Sequence, residues 1–329
     1  EVMKQAWPMM QKYVHYLGSQ SKDHILSHGL GDWYDLGPNF PGPAQLTPKE
    51  LTATAIYYYD IYMLTKMAEL LDYKKEAAQL KDLGEAVKAA FNAKFFNEQT
   101  KIYSTGSQTA MSMPLCVGLV KEEYRAEVFS KLIESIEKSN KALTAGDIGF
   151  HFLIAALTEG GASQLVYEMN SRNDVPGYGF QLKKGATALT ESWAALEEVS
   201  NNHLMLGHVM EWFYGGLGGI RQPEGSVAYK NIEIKPEMVG DVTHAKTSFE
   251  SPYGTIATEW KKEKNAYSLQ VTIPANTQAV IYLPVVETSQ LSEGGMALEK
   301  QNDIKVIDRK NGKAQVKVGS GVYQFTVRQ

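Results

Sequence analysis

Three side chains able to do chemistry lie within one short stretch of the chain: a carboxylate at Glu191, an indole at Trp193 and an imidazole at His203. Gly185 permits a tight turn ahead of them, and Thr187 is of a residue type that caps helices. The pattern therefore predicts a helix over 187–199 with Glu191 in its first turn. A helix dipole favours an ionised carboxylate at that position by about 0.3–1 kcal/mol.

An ionised Glu191 suits the role of a general base, which must be deprotonated before it can activate water. Trp193 and His203 are close enough in sequence to share a pocket with it. The alternative interpretation is a capped helix with a solvated glutamate, because acidic residues are common near helix starts. His203 has a similar alternative, as a residue that begins the following helix.

A long polar loop, residues 19–46, holds a second group of candidate side chains, among them Asp32 and Trp33 within a glycine-rich run. Loops of this length inside a domain are usually functional or disordered. The glycines and aromatic residues argue against disorder, and binding groups concentrate in such loops. We therefore expect a functional loop, with turn capping by Asp32 and core packing by Trp33 as the alternatives.

Helical periodicity dominates the chain up to about residue 221, and the predicted helices succeed one another as antiparallel hairpins. Nine such helices fall three short of the twelve in a complete (α/α)6 toroid. Their predicted ranges are 2–17, 47–71, 72–96, 108–119, 122–139, 148–157, 162–169, 187–199 and 202–214. We therefore predict a helical domain over 1–221.

Short β-rich runs with turns between them replace the helices from residue 222 onward. Alternation of apolar and polar residues from Ser268 to Ile273 is typical of a half-buried strand. Eight strands are predicted, at 228–234, 247–249, 255–261, 267–273, 279–283, 304–307, 314–318 and 322–327. Such a series predicts a β-sandwich domain over 222–329.

Composition narrows the function classes further. The chain has 329 residues, and its formal net charge of −4 is too small to suggest nucleic acid or a membrane surface as a partner. No apolar run is long enough to span a bilayer, and the single Cys116 excludes a disulfide within the chain. No phosphate cradle, nucleophile elbow or metal-ligand cluster is recognised, since the His24 to His28 spacing is a weak signal, and no cofactor is expected.

In order along the chain, the motifs resemble the catalytic domain of the α-L-rhamnosidases of glycoside hydrolase family 78. Nearly the whole chain carries the resemblance, and the ordered set is more specific than any single motif. The matching segments are 31–33, 47–48, 108–110, 144–149, 177–180, 185–193, 202–203, 211–220, 251–254 and 273–277.

The resemblance implies an (α/α)6 barrel followed by a jelly-roll-like β-sandwich, and hydrolysis of terminal α-L-rhamnosides with inversion. It places the general base on Glu191. The side chains that it implies as contacts of the sugar are Asp32, Trp33, Tyr178, Trp193 and His203. Tyr178 stands where family members commonly have tryptophan, and Thr190 precedes Glu191 where they have tryptophan, which leaves the sugar specificity open.

An inverting glycosidase also needs a protonated carboxyl group opposite the base. In the family this acid lies in an acidic motif upstream of the first helix, and no such motif occurs in the sequence. Together with the missing helices, this predicts the C-terminal part of a larger enzyme. We expect either an open barrel or an apolar flank where three helices are lacking, and that flank is either exposed or covered by another chain. The expected partners are the missing N-terminal part of the same enzyme or a second chain. The chain by itself is expected to hydrolyse little or no aryl rhamnoside.

Two other functions stay open: an (α/α)6 glycosidase for a different terminal sugar, and a non-catalytic carbohydrate-binding chain. The expected ligand is a rhamnose-containing oligosaccharide or glycoside. The compartment is open as well, with an extracytoplasmic location, periplasmic or secreted, preferred over the cytoplasm.

Overall fold

The computed structural model describes residues 1–328, which divide into two units. The first unit comprises Glu1–Gly160 and Glu168–His208, and the second comprises Gly161–Tyr167 and the chain from Val209 onward. Helices precede strands along the chain, so the predicted fold class, mainly α and then all-β, is confirmed.

Nine α-helices occur within residues 1–328. They are α1 (Val2–Gln20), α2 (Lys49–Leu70), α3 (Lys74–Phe95), α4 (Gln108–Val117), α5 (Arg125–Lys138), α6 (Gly149–Glu159), α7 (Ser163–Ser171), α8 (Tyr178–Lys183) and α9 (Val209–Trp212). A two-stranded hairpin, β1 (Phe96–Asn97) and β2 (Ile102–Tyr103), connects α3 to α4. The described residues therefore do not supply the twelve helices of a complete ring.

Helix α2 shows why these segments are helical. Its buried side chains, mostly apolar with threonines among them, recur every three or four residues and pack against α1, α3 and α4. Helix α4 begins at a different signal, because the Ser107 hydroxyl accepts a hydrogen bond from the Ala110 N–H at 3.1 Å. It ends at Gly118, whose φ of 82° is the left-handed conformation that glycine adopts at helix ends.

The predicted helix over 187–199 is wrong, and the one predicted over 202–214 is reduced to α9 with a short helical turn on either side. Residues 184–203, which we call the Glu191 loop, contain no regular helix, and a short turn (Leu204–Leu206), α9 and a π-helical turn (Phe213–Leu217) follow. The helix in this region is α8 instead, and Gly185 (φ 87°) ends it. Glu191 therefore does not lie in the first turn of a helix, and a helix dipole does not act on it.

Large apolar side chains on α1 and α2 are exposed, among them Met9, Tyr13 and Tyr16 of α1 and Tyr62 and Met63 of α2. An exposed apolar flank was expected where further helices would pack, and these side chains are the candidates for it. Their continuity as one patch stays a prediction. Within residues 1–328, no helix has the length and apolar character that crossing a bilayer requires.

The second unit is built on two β-sheets. Its strands are β3 (Ile220–Arg221), β4 (Asn231–Ile234), β5 (His244–Ser251), β6 (Gly254–Lys262), β7 (Ala266–Ile273), β8 (Gln278–Pro284), β9 (Gln290–Glu293), β10 (Met296–Ala297), β11 (Lys305–Lys310), β12 (Lys313–Val318) and β13 (Gly321–Arg328). One sheet has the order β10-β9-β13-β7-β6-β5 and the other β11-β12-β8-β4-β3. All eight predicted strands are present, whereas β3, β9 and β10 were not predicted.

Alternating burial along the strands forms the core of this unit. In β7 the side chains of Tyr267, Leu269, Val271 and Ile273 are buried, because successive residues of a strand point to opposite faces of its sheet. Trp260 of β6 joins the same core, and its indole N–H donates to the Leu217 carbonyl at 2.8 Å. The period-two pattern of the sequence therefore predicted the buried face correctly.

Candidate active site

Asp32 links three separate segments of the first unit. One carboxylate oxygen accepts hydrogen bonds from the Thr109 hydroxyl at 2.5 Å and from the Gly146 N–H at 2.9 Å. The other oxygen accepts from the Gly149 N–H at 2.7 Å. The side chain is completely buried. Asp32 therefore joins the 19–46 loop to α4 and to the segment before α6.

Burial has a clear electrostatic effect on this carboxyl group. Desolvation raises the pKa of Asp32 to about 6, although its hydrogen bonds from Thr109, Gly146 and Gly149 oppose the rise. The native state therefore holds the Asp32 proton to a higher pH than the unfolded chain does, and it binds more protons between about pH 4 and pH 6. The contribution of Asp32 to stability consequently falls as pH rises through this window.

We expect the Asp32→Asn variant to lose part of this pH dependence. In the unchanged protein, Asp32 should lower the free energy of unfolding by about 1 kcal/mol between pH 5 and pH 7, and a neutral amide cannot contribute this term. Urea unfolding at the two pH values measures the difference. Asp82→Asn, at an exposed position of α3, is the control and should keep the full dependence. Equal pH dependence in both variants would contradict the assignment.

Asp147, Glu191 and His203 meet close to the 19–46 loop. The Asp147 N–H donates to the Trp33 carbonyl at 2.8 Å, and an oxygen of the Asp147 carboxylate lies 3.6 Å from Nε2 of His203. Asp147 is buried, and His203 and Glu191 are partly exposed. Desolvation raises the pKa of Asp147 to about 6; His203 opposes the rise, whereas the charges of Glu191 and Asp32 add to it.

Tyr34 completes this group, which we call the Glu191 cluster: Tyr34, Asp147, Glu191 and His203. Burial raises the pKa of the Tyr34 phenol, and the charges of Glu191 and Asp147 raise it further. These three groups therefore lie within electrostatic reach of one another. Tyr34 has a φ of 62°, which is uncommon for a bulky residue, and strained backbone of this kind is frequent at functional sites.

The ring of Tyr34, a member of the cluster, forms an aromatic pair with the ring of Trp33. Their centroids are 5.6 Å apart with an interplanar angle of 48°, and both side chains are partly exposed. Exposed aromatic faces of this kind offer apolar surface to a ligand, with a polar group at the tyrosine end. Trp33 thus remains available for the sugar contact predicted for it.

Asp32 and Trp193, unlike the other predicted contact residues, have buried side chains. Trp193 is buried; its indole N–H donates to the Ala145 carbonyl at 2.7 Å, and its ring packs against Phe150 with centroids 4.7 Å apart. Neither Asp32 nor Trp193 presents side-chain surface to solvent, so neither can touch a sugar in this conformation. Burial favours a positioning role for both, and the sugar contacts predicted for them stay predictions.

Tyr178 is partly exposed and packs edge-on against Trp193, with centroids 5.2 Å apart. Its hydroxyl donates to the Leu206 carbonyl. The structure therefore brings Trp33, Glu191 and His203 together through Asp147, and the neighbouring Ala145 carbonyl accepts the hydrogen bond from Trp193, against which Tyr178 packs. Sequence reasoning missed Tyr34 as a site residue, although its position directly after Trp33 was a usable signal.

Two imidazoles of the first unit, those of His151 and His208, lie close together, with ring centroids 5.0 Å apart. Imidazole nitrogens at such a separation are candidate metal ligands. Two ligands alone do not complete the tetrahedral set that zinc usually takes. Their separation in the sequence explains why no spacing motif revealed the pair. The described part of the first unit thus contains no complete ligand set that we can assign.

Two family models match the chain. A bacterial α-L-rhamnosidase six-hairpin glycosidase domain matches residues 1–217, and a bacterial α-L-rhamnosidase C-terminal domain matches residues 219–297. Among curated relatives, an α-L-rhamnosidase of Streptomyces avermitilis is 28% identical over 99% of this chain and 31% of its own length. An α-L-rhamnosidase of Formosa agariphila is 27% identical over 99% of this chain and 36% of its own. The chain spans about a third of the length of these relatives.

Solved structures of α-L-rhamnosidases are also similar to this chain over nearly its whole length. The α-L-rhamnosidase of Dictyoglumus thermophilum has a TM-score of 0.90 and 29% identity, covering 100% of this chain and 37% of that one. The Streptomyces avermitilis α-L-rhamnosidase, solved in complex with L-rhamnose, has a TM-score of 0.87 and 26% identity. That match covers 99% of this chain and 31% of the Streptomyces chain.

Proposed function

This chain belongs to the bacterial α-L-rhamnosidase family, and on that premise we propose that it takes part in the hydrolysis of terminal α-L-rhamnosides with inversion. The membership confirms the resemblance seen in the sequence motifs. The observation that carries the proposal is the Glu191 cluster, where a partly exposed carboxylate lies near an imidazole and two aromatic rings. This combination suits a sugar ring and an activated water.

In the proposed reaction, Glu191 acts as the general base. The backbone supports its orientation, because the Ser200 N–H donates to the Glu191 carboxylate at 3.2 Å and the Glu191 N–H donates to the Ser200 carbonyl at 2.9 Å. The carboxylate removes a proton from a water that attacks the anomeric carbon, on the face opposite the departing aglycone. The released sugar therefore has the inverted anomeric configuration.

The roles of the other side chains follow from their positions. We propose that Trp33 forms an aromatic wall of the sugar site, that His203 hydrogen-bonds the sugar and that Tyr178 borders the site. A protonated carboxyl group must stand about 6.5–9.5 Å from the base to assist the leaving group. Among the described residues we assign this role to none, because Asp147, the other carboxyl group of the Glu191 cluster, is buried against His203.

Calorimetric titration with sugars tests the binding half of the proposal. L-rhamnose should bind at least about tenfold more tightly than L-fucose, because hydrogen-bonding sites discriminate between hydroxyl configurations. His203→Ala should weaken L-rhamnose binding. Preference for L-fucose would favour the glycosidase for another sugar, and binding of neither sugar would refute the proposed site.

Proton NMR during hydrolysis of an aryl α-L-rhamnoside tests the chemical half. The first sugar to appear should be the β-anomer, which then equilibrates with the α-anomer. Release of the α-anomer first would contradict inversion. Tight binding of L-rhamnose by an enzyme form that holds both catalytic carboxyl groups but hydrolyses nothing would favour the carbohydrate-binding alternative.

A further inference from the structure

Asp147 and His203 form a pair that the proposed reaction does not itself use. Asp147 lies two residues before α6, and its side chain is only 7% exposed. One of its carboxylate oxygens and His203 Nε2 lie 3.6 Å apart, and within residues 1–328 His203 Nε2 has no hydrogen-bond partner. A buried carboxylate costs free energy unless a partner compensates it. His203 is that partner.

The Asp147–His203 pair matters because His203 lies in the Glu191 loop, which carries the proposed base. Lacking a helix, the loop is held by its own backbone: the Glu191 N–H donates to Ser200 and the His203 N–H donates to the Leu189 carbonyl at 2.8 Å. His203 therefore belongs to the same hydrogen-bonded unit as Glu191. A displacement of His203 would be transmitted to the backbone on which Glu191 stands.

One short segment, residues 145–147, anchors this loop at two points. The Ala145 carbonyl accepts the indole N–H of Trp193, and the Asp147 carboxylate faces His203. The same segment is tied to the 19–46 loop, because the Asp147 N–H donates to Trp33 and the Gly146 N–H donates to Asp32. Asp147 thus stands between the aromatic wall and the loop that carries the base.

We propose that Asp147 is a positioning residue, which holds the His203 imidazole in place and through it orders the Glu191 loop for sugar binding. The proposal rests on the proposed function for the role of His203, but the ordering of the loop does not. The charged and titratable groups that face Asp147 are His203, Glu191, Asp32 and Tyr34. Of these four groups, only His203 has a side chain that can carry a positive charge, and only His203 favours the ionised form of the Asp147 carboxyl group.

A double-mutant cycle with L-rhamnose as the probe tests the coupling. Asp147→Asn should weaken L-rhamnose binding about tenfold in the His203 background, an effect of the size seen when the partner that orients a metal-binding histidine is lost. The same substitution should change affinity less than about twofold when His203 is already alanine, because its effect passes through that imidazole. Additive effects of the two substitutions would overturn the proposal.

The pH profile separates positioning from a purely structural role. The pKa of Asp147 is about 6, so below that pH its carboxyl group is protonated and neutral, like the amide of Asp147→Asn. The unchanged protein and Asp147→Asn should therefore bind L-rhamnose with the same affinity at pH 5. Asp82→Asn, on the exposed face of α3, should bind L-rhamnose as the unchanged protein does at every pH. An affinity difference that persists unchanged at pH 5 would overturn the role of the carboxylate charge.

Hydrogen exchange provides a measurement that needs no sugar. In Asp147→Asn, the amides of Glu191 and His203, which are hydrogen-bonded within the loop, should exchange at least about tenfold faster, while amides of α2 keep their rates. Unchanged exchange at Glu191 and His203 would overturn the proposal. If L-rhamnose does not bind at all, the proposed function fails, and the exchange rates still decide whether Asp147 orders the loop.

Discussion

Replacement of Glu191 by glutamine should reduce hydrolysis of an aryl α-L-rhamnoside at least about 100-fold, because an amide cannot accept the proton of the attacking water. The amide has the same shape as the carboxylate and can still accept the hydrogen bond from the Ser200 N–H. Affinity for L-rhamnose should therefore change less than about threefold. The measurement compares turnover and sugar binding in an enzyme form that holds both catalytic carboxyl groups.

Glu198→Gln is the matched control, since this residue lies in the same loop and its side chain is exposed. It should hydrolyse the substrate at the rate of the unchanged enzyme. A fall in turnover with no change in affinity is the signature of an interaction made only in the transition state. Normal turnover by Glu191→Gln would leave Glu191 as a solvated loop residue and would remove the basis of the proposed mechanism.

Replacement of Gly149 by alanine should destabilise the first unit by about 3 kcal/mol. A Cβ atom at this position would lie 1.9 Å from the Thr109 hydroxyl oxygen and 2.7 Å from an Asp32 carboxylate oxygen. Both atoms are fixed by their mutual hydrogen bond, so the clash must either separate them or displace α6. Chemical denaturation followed by tryptophan fluorescence measures the loss.

Gly42→Ala is the control for this prediction. A Cβ atom at Gly42 meets no atom within 4 Å, and stability should change by less than about 1 kcal/mol. The double variant Thr109→Ala with Gly149→Ala adds a sharper test, because it removes the hydroxyl oxygen that lies nearest to the new Cβ, at 1.9 Å, while the Cβ of residue 109 stays 2.7 Å away. It should be less destabilised than the two single changes predict by addition. Strict additivity would show that the Thr109 hydroxyl does not cause the loss of stability.

The elements of this protein were largely predictable wherever periodicity reflects burial. The alternation in β7 and the three-to-four-residue repeat in α2 both arise because apolar side chains must face a core, and that requirement is written locally in the chain. The ordered motifs likewise indicated the family. They identified Glu191 as the candidate base without any knowledge of its neighbours.

Local sequence signals predicted the wrong secondary structure where backbone N–H groups donate hydrogen bonds to carbonyls many residues away. Residues 187–199 contain helix-favouring alanine, leucine and glutamate, yet the Glu191 N–H bonds to Ser200 and the His203 N–H bonds to Leu189. These bonds replace the ladder of a helix, and intrinsic propensity is too weak to prevent this. The environment of Glu191 was therefore decided by tertiary structure, although its identity was not.

Asp32 and Asp147 show the same division. Their acidic side chains were visible in the sequence, and Asp32 was expected to touch a sugar. Its actual partners are Thr109, Gly146 and Gly149, which are far from it along the chain and meet it only after the helices pack. The sequence by itself determined which groups can ionise and most of the segments that are helical or extended. Only the tertiary structure decided which carboxylates are buried, because desolvation depends on every segment that surrounds them.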